Sequence, residues 1–263
     1  MAAIVLQGDI AHYEVLGRGK PVVFLHSWLG SWRYWIPTMQ AVSISYRTFA
    51  LDFWGFGDSA KKPVNYSFDQ QINLLYGFLE HLGIKKIALI GHGLGAAIAI
   101  LFAYRHQQSV DRLMAIGMPN GNSSLKARLL TSSPQEFTEW LGNRNGHPII
   151  NGAEAAKTDP IAIQASLSNL LKQNLSWYAQ QLELPRLFIY GQGDRITEEN
   201  SLSDSQMHSD LAAQQIIFEQ SGHYPMLDEP SKFHRLVIDF LGIQSNEDFL
   251  QLQIKEEWKR RVR

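Results

Sequence analysis

Short apolar runs alternate with longer segments of helical periodicity along most of the chain. The runs at 21–25, 46–51 and 87–90 are short and apolar, which is typical of buried strands. A helix is predicted between the second and third runs, because apolar residues recur on one face at Phe68, Ile72, Leu75, Phe78, Leu79 and Leu82. Alternating strands and helices predict a largely parallel sheet covered on both faces.

The alternation is interrupted once, between residues 120 and 184. A patch rich in Gly, Asn and Pro lies there, flanked by helix-like pieces, and strand–helix order resumes with apolar runs at 187–190 and 214–218. The sequence therefore predicts a core at 1–119 and 185–244 and a helical cap inserted at 120–184. Residues 245–263 form a predicted helical extension.

The extension carries its own pattern. Leu250, Ile254 and Trp258 are spaced four residues apart and predict a helix over 246–262 with an apolar stripe, and its end is basic. We interpret it as a solvated terminal helix docked on the domain. A helix that binds a protein partner, a second copy of the chain or an anionic surface is the alternative.

Composition excludes several classes of protein. The chain has 263 residues, 45% of them hydrophobic and 19% charged, which is ordinary for a globular domain. A net charge of −1 gives no reason to expect nucleic acid or an acidic membrane as a partner. The sequence shows no apolar run long enough for a membrane span and no signal-peptide pattern, so a soluble cytoplasmic protein is expected. Without cysteine there is no disulfide or thiolate metal site.

The candidate chemistry centres on residues 91–95, Gly-His-Gly-Leu-Gly. They join the predicted strand at 87–90 to a segment rich in Ala, Leu and Ile, and strand, glycine-rich turn and helix form the context of the nucleophile elbow, G-x-S-x-G. Gly93 stands where the nucleophile belongs. Glycine keeps the turn because it adopts positive φ without a Cβ clash. It has no side chain to attack a carbonyl, so the chain is expected to form no covalent acyl-enzyme and to escape labelling by a fluorophosphonate probe.

Further motifs occur around the elbow in a recognisable order. They are His26 with Gly30 after an early strand, Asp52-x-x-Gly55-x-Gly57-x-Ser59, Gly191-x-x-Asp194, and Gly222-His223-x-Pro225 before Glu229-Pro230. Over residues 4–242 the chain resembles the α/β-hydrolase superfamily. The resemblance implies an α/β fold with a mostly parallel eight-stranded sheet, helices on both faces and the inserted helical cap.

The resemblance also implies site residues. His223 corresponds to the catalytic base and Asp194 to the acid that orients it. The backbone N–H groups of Trp28 and Leu94 correspond to the oxyanion hole. Ser27 departs from the His-Gly pair that is usual in the loop after the early strand.

Other residues around the site receive structural or binding roles. We interpret His26, Asp52 and His92 as buried supports of the loops. An apolar pocket for a small ligand is predicted, lined by Trp54, Trp140 and Trp177. The sequence contains no P-loop, dinucleotide fingerprint or metal-ligand cluster, so no cofactor and no metal are predicted.

Three functions stay open at this point. The chain is a pseudoenzyme that binds a ligand or protein through the pocket, or an enzyme in which His223 and Asp194 act without a covalent step. The second would activate water or remove a substrate proton, as lyases and cofactor-free oxygenases of this fold do. The third is an ordinary serine esterase whose serine was replaced by Gly93. In each case the expected ligand is small, apolar and ester-like or carbonyl-containing, and Gly93→Ser is expected to restore a hydroxyl.

Overall fold

The computed structural model describes residues 2–119, 136, 139, 154–194, 196–197 and 212–254. The strands of this part of the chain are β1 (Ala2–Leu6), β2 (Asp9–Leu16), β3 (Lys20–Leu25), β4 (Tyr46–Leu51), β5 (Ile87–His92), β6 (Val110–Ile116), β7 (Arg186–Gly191) and β8 (Ala213–Phe218). The helices are α1 (Ile36–Val42), α2 (Phe68–His81), α3 (Leu94–Arg105), α4 (Pro160–Leu170), α5 (Leu175–Gln180), α6 (Pro225–Asp228), α7 (Pro230–Gly242) and α8 (Asn246–Leu250).

These strands form one eight-stranded sheet in the order β1-β2-β4-β3-β5-β6-β7-β8. The pairs β1–β2 and β2–β4 are antiparallel, and every other neighbouring pair is parallel. The predicted fold class is therefore confirmed: the chain has the α/β-hydrolase fold.

Helix α3 is the most buried helix next to the sheet. Its residues from Leu94 to Ala103 are almost fully excluded from solvent, because it packs on β5 and β6 and is covered in turn by α2 and α5. Helix α1 packs against α7, and the ring of Trp35, just before α1, lies 6.4 Å from that of Phe233 on α7. The apolar α3 thus presents its first turn to the carboxyl edge of the sheet with little freedom to move.

A 3-10 turn, Trp32–Trp35, precedes α1, and the chain becomes α-helical only at Ile36, because Pro37 is favoured in the first turn of an α-helix. The terminal extension differs from the sequence-based expectation. The terminal helix expected over 246–262 ends at Leu250, and residues 252–254 have no regular structure. Trp258 and the basic residues after it lie outside the described part of the chain.

The extension docks only in part through the predicted stripe: Ile254 is half-buried and packs against the core, but Leu250 does not dock. Leu250 is 48% exposed, whereas Phe249 and Leu252 are buried. The ring of Phe249 lies 6.2 Å from that of Phe240 on α7. The contact with α7 therefore selects Phe249, the neighbour of the residue that the four-residue spacing had indicated.

Helices α4 and α5 follow β6 and precede β7, within the range predicted for the cap. Residues 120–153 lie outside the described part except for positions 136 and 139, so most of the predicted cap is not described. None of the helices in the described ranges is long and apolar enough to cross a lipid bilayer.

Candidate active site

The residues of the candidate site, of which Gly93, Asp194 and His223 were predicted, lie at the carboxyl ends of neighbouring strands. Ser27 follows β3, Gly93 follows β5, Gly117 follows β6, Asp194 follows β7 and His223 follows β8. These strands are consecutive in the sheet, so their following loops meet at one edge. Ligand sites of open α/β sheets form in this position.

His223 and Asp194 form a buried pair. Nδ1 of His223 lies 2.8 Å from Oδ2 of Asp194, and both side chains are almost completely excluded from solvent. Burial alone would raise the pKa of Asp194, but the charge of His223 and hydrogen bonds from His223, Thr197 and Ile196 outweigh it and lower the pKa to about 2. Asp194 is therefore ionised at neutral pH and accepts a hydrogen bond from Nδ1–H of His223.

This hydrogen bond determines what the other ring nitrogen does. With the proton of a neutral imidazole on Nδ1, the lone pair of Nε2 is free to accept a proton. Asp194 is itself held in place, because its Oδ1 accepts hydrogen bonds from the N–H groups of Ile196 (2.7 Å) and Thr197 (3.2 Å), and its Oδ2 accepts from the Thr197 hydroxyl. The carboxylate thus fixes both the tautomer and the orientation of His223.

Gly93 lies at the turn between β5 and α3. Its φ is +52° and its ψ is −109°, so the predicted positive φ is confirmed. A Cβ built on Gly93 would lie 3.4 Å from Nε2 of His223, so a side chain here would point toward the imidazole. The backbone geometry of the elbow is therefore present without the side chain.

The space of that missing side chain is occupied by Ser27. The same constructed Cβ would lie 2.9 Å from Cβ of Ser27 and closer still to its Oγ, below the 3.0 Å that real Cβ atoms keep from non-bonded atoms. Oγ of Ser27 lies 3.5 Å from Nε2 of His223. In the sequence, Ser27 is distinguished only by its departure from the usual His-Gly pair. The signal that could have identified Ser27 is a pair of departures: a serine at position 27, where glycine is usual, and a glycine at position 93, where the nucleophile is usual.

A chain of hydrogen bonds connects the backbone of Ser27 to that of His223. The Ser27 N–H donates to the Tyr34 hydroxyl (2.8 Å), which lies 3.0 Å from Nδ1 of His92, and Nε2 of His92 lies 2.8 Å from the carbonyl oxygen of His223. The carbonyl needs a donor, so the proton of His92 is on Nε2 and Tyr34 donates to Nδ1. Burial, followed by the nearby His223, holds the pKa of His92 well below its usual value, which keeps this directional chain neutral.

His26 and Asp52 support the adjoining loops. Nε2 of His26 accepts from the N–H of Phe53 (3.0 Å), and Nδ1 donates to the carbonyl oxygen of Ser27 (2.8 Å). Burial lowers the pKa of His26, which is consistent with this neutral tautomer. Asp52 is fully buried and accepts a hydrogen bond from the N–H of Trp32 at 2.8 Å. Both side chains hydrogen-bond to loop backbone, as the predicted supporting role requires.

The two residues predicted for the oxyanion hole directly follow Ser27 and Gly93 in the chain. Trp28 follows Ser27, and Leu94 begins α3 directly after Gly93. The indole N–H of Trp28 donates to the hydroxyl of Ser166 on α4 at 2.8 Å. This bond ties the loop after β3 to a helix from the predicted cap.

The structure gives two of the tryptophans predicted to bind a ligand different surroundings. Trp54 is buried, and its backbone N–H donates to Gln71 at 3.0 Å. Trp177 is 45% exposed, and its ring lies 5.7 Å from that of Tyr104, near the end of α3 opposite to Gly93. Trp140 lies outside the described residues.

One cluster of potential metal ligands was not foreseen from the sequence. His12, Asp52 and Asp58 offer ligand atoms within 4.8 Å of one another. These groups already have partners: His12 Nδ1 lies 3.1 Å from Oδ2 of Asp52, and Asp58 pairs with Lys157 at 2.8 Å and Arg33 at 3.1 Å. We interpret the cluster as a support of the loop after β4.

Comparison with known proteins agrees with this architecture. A family profile described as the alpha/beta hydrolase fold matches residues 20–148. Over 116 residues, 44% of the chain, the sequence is 33% identical to the soluble epoxide hydrolase of Corynebacterium sp. (strain C12), and the match spans 41% of that enzyme. The pimeloyl-[acyl-carrier protein] methyl ester esterase of Vibrio vulnificus (strain CMCP6) is 25% identical over 257 residues, covering 88% of this chain and 98% of that enzyme.

A solved structure matches over nearly its whole length. The esterase EaEST from Exiguobacterium antarcticum superposes with a TM-score of 0.78 at 18% identity, covering 91% of this chain and 98% of that one. The family profile, the hydrolase relatives and the eight-stranded sheet agree that this chain has the α/β-hydrolase fold.

Proposed function

We propose that the chain is a hydrolase that cleaves a small, apolar ester or a related carbonyl compound. His223 moves the proton and Asp194 orients it. The observation that carries the proposal is the 2.8 Å hydrogen bond between His223 Nδ1 and Asp194 Oδ2, which leaves Nε2 directed at the elbow. A neutral imidazole in this tautomer is the general base that ester hydrolysis needs near neutral pH.

The surroundings of the pair support acyl chemistry. The N–H groups of Trp28 and Leu94, from loops at the same edge of the sheet, are our candidates for stabilising the negative oxygen of a tetrahedral intermediate. Both are backbone groups, so neither depends on a side chain at position 93. The name of one relative, a methyl ester esterase, points to the same substrate class.

The burial of the pair supports a small and apolar substrate. Ser27 is fully buried and His223 is 5% exposed, so a substrate that reaches them must leave bulk water. We assign residues 120–184 as the cap over this site. The bond from Trp28 to Ser166 on α4 supports that assignment, because it joins the loop after β3 to the described part of the cap.

The test is hydrolysis of p-nitrophenyl esters from acetate to octanoate by the purified chain. We expect measurable hydrolysis of short esters and a loss of about 10⁴-fold in kcat for Asp194→Asn, in which the tautomer of His223 is no longer fixed. His106→Ala is the matched control, because His106 lies at the far end of α3 from Gly93. An unmodified chain that hydrolyses none of these esters above the rate of His223→Ala would overturn the proposal.

A further inference from the structure

Positions 27 and 93 are neighbours across the parallel pair β3–β5. The register pairs Leu25 with Gly91, so the residues two positions further along, Ser27 and Gly93, face each other just beyond the strand ends. Two neighbouring backbones at this spacing leave room for one inward-pointing side chain between them. In this chain the glycine is on the elbow and the hydroxyl is on the loop after β3.

We propose that the hydroxyl of Ser27 is the nucleophile, taking the place of the elbow side chain that Gly93 lacks. The inference rests on the proposed hydrolase function and adds the residue that forms the covalent intermediate. Oγ of Ser27 lies 3.5 Å from Nε2 of His223, and ligand-free catalytic pairs are often this long before substrate tightens them. Ser27, His223 and Asp194 then have the mutual arrangement of a triad, with its first member in the loop after β3 instead of at the elbow after β5.

The backbone of Ser27 is held on both sides of its side chain. Its N–H donates to the Tyr34 hydroxyl at 2.8 Å, and its carbonyl oxygen accepts from Nδ1 of His26 at 2.8 Å and from the N–H of Gly30 at 3.2 Å. The loop also contains Leu29 with a φ of +59°, a strained conformation for a residue with a Cβ. Because every polar backbone group of Ser27 is engaged, the hydroxyl is the group left to face His223.

The exchange also preserves the expected oxyanion donors. In the usual elbow, one donor is the N–H after the nucleophile and the other comes from the loop after the early strand. With Ser27 as nucleophile, Trp28 supplies the N–H after the nucleophile and Leu94 supplies the one from the opposite loop. The same two N–H groups serve, with their roles interchanged.

The reaction balances without a cofactor. His223 Nε2 takes the Ser27 proton as Oγ bonds to the ester carbonyl carbon and the π electrons move to the carbonyl oxygen. When the carbonyl re-forms, the bond to the alkoxide breaks, the alkoxide takes the proton from His223, and acyl-Ser27 remains. Water then gives a proton to His223 and attacks the acyl carbon. Ser27 leaves, recovers that proton, and the acid is released.

Water bound directly to His223 is the competing nucleophile, and covalent labelling separates the two. A fluorophosphonate should modify the unmodified chain once, and tandem mass spectrometry should locate the adduct on Ser27 within the tryptic peptide 19–33. Ser27→Ala should abolish the adduct and lower esterase kcat by about 10³-fold or more. Ser31→Ala is the matched control: Ser31 lies in the same loop and the same peptide, but its hydroxyl donates to Glu154.

A thiol at position 27 tests the pairing with His223 without relying on ester hydrolysis. The chain has no cysteine, so Ser27→Cys introduces a single thiol. A thiol beside His223 ionises more readily than a free thiol, whose pKa is about 8.5. Iodoacetamide should therefore modify Ser27→Cys at about pH 6 at least ~10-fold faster than it modifies Ser27→Cys/His223→Ala.

The outcomes distinguish this inference from the proposed function. Ester hydrolysis that is unchanged in Ser27→Ala, with no adduct on Ser27, would overturn the inference and leave a water-based hydrolase. An unmodified chain without ester hydrolysis would overturn the proposed function. Equal alkylation of the two thiol variants would show that His223 does not activate position 27 and would also overturn the inference.

Discussion

Oγ of Ser27 occupies the space into which a side chain on Gly93 would project. A Cβ on Gly93 would lie 2.9 Å from Cβ of Ser27, and the Ser27 hydroxyl is nearer still. The two positions therefore do not both accommodate a side chain in this conformation. This relationship changes what a serine at the elbow should do. It also argues against the interpretation of the chain as an ordinary elbow serine hydrolase in which the serine alone was replaced.

Gly93→Ser should lower activity, even though it adds the hydroxyl that the elbow lacks. The new side chain meets Ser27 in a buried site, and overpacking of this kind destabilises by about 1–3 kcal/mol. Positive φ at a residue with a Cβ adds strain of on the order of 1 kcal/mol or more. Thermal unfolding measures the loss of stability, and hydrolysis of a p-nitrophenyl ester measures the loss of activity.

The double variant Ser27→Gly/Gly93→Ser is the decisive partner of that experiment. It moves the hydroxyl back to the elbow and removes the contact, so it should recover activity relative to Gly93→Ser and accept the fluorophosphonate on residue 93. The steric argument would be contradicted if Gly93→Ser alone were as stable as the unmodified chain and more active than the double variant.

Asp194→Asn should destabilise the fold in a pH-dependent way. The pKa of Asp194 is lowered to about 2 from an unfolded value of 3.8, so its contribution is present above pH 3.8 and is lost as the pH falls through about 2. The shift corresponds to about 2 kcal/mol. Urea unfolding should show this deficit for the variant at pH 7 and a smaller one at about pH 2.5. A deficit that does not narrow in acid would show that the loss comes from packing rather than from charge.

Gly117→Ala should impair the His223–Asp194 pair without unfolding the chain. A Cβ on Gly117 would lie 3.2 Å from Cε1 and 3.3 Å from Nδ1 of His223, so the ring must shift. Gly83→Ala is the matched control, because Gly83 also has positive φ (+64°) but no atom within 4 Å of an added Cβ. Both variants should lose about 1–2 kcal/mol of stability from backbone strain. Only Gly117→Ala should lower kcat. Equal kcat values in the two variants would show that a Cβ at position 117 does not displace the His223 ring.

The sequence predicts the elbow and the sheet well because their signals are local. The outer glycines, the apolar run before them and the helical segment after them lie within one short stretch, and carboxyl ends of parallel strands necessarily meet. The role of Ser27 is different, because it depends on the register of β3 against β5, which pairs Leu25 with Gly91. No spacing along the chain encodes that register.

The hydrogen bonds that hold the site have the same origin in long-range contacts. Tyr34 bonds to both Ser27 and His92, although it looks like an ordinary aromatic residue in the sequence. In the terminal extension, a regular four-residue spacing predicts that Leu250 docks. The residue that contacts α7 is instead its neighbour Phe249, because docking depends on the shape of the α7 surface.

That docking yields the last prediction. Phe249 is fully buried and its ring lies 6.2 Å from that of Phe240, so Phe249→Ala should leave a cavity and lower the free energy of unfolding by about 3–5 kcal/mol. Leu250→Ala is the neighbouring control: Leu250 is 48% exposed, and substitution there should change stability by no more than about 0.5 kcal/mol. Urea unfolding of both variants measures the difference. If the helix instead docked through a stripe containing Leu250, the order of the two effects would be reversed. Esterase kcat should be the same in both variants, because none of the site residues described above lies on α8.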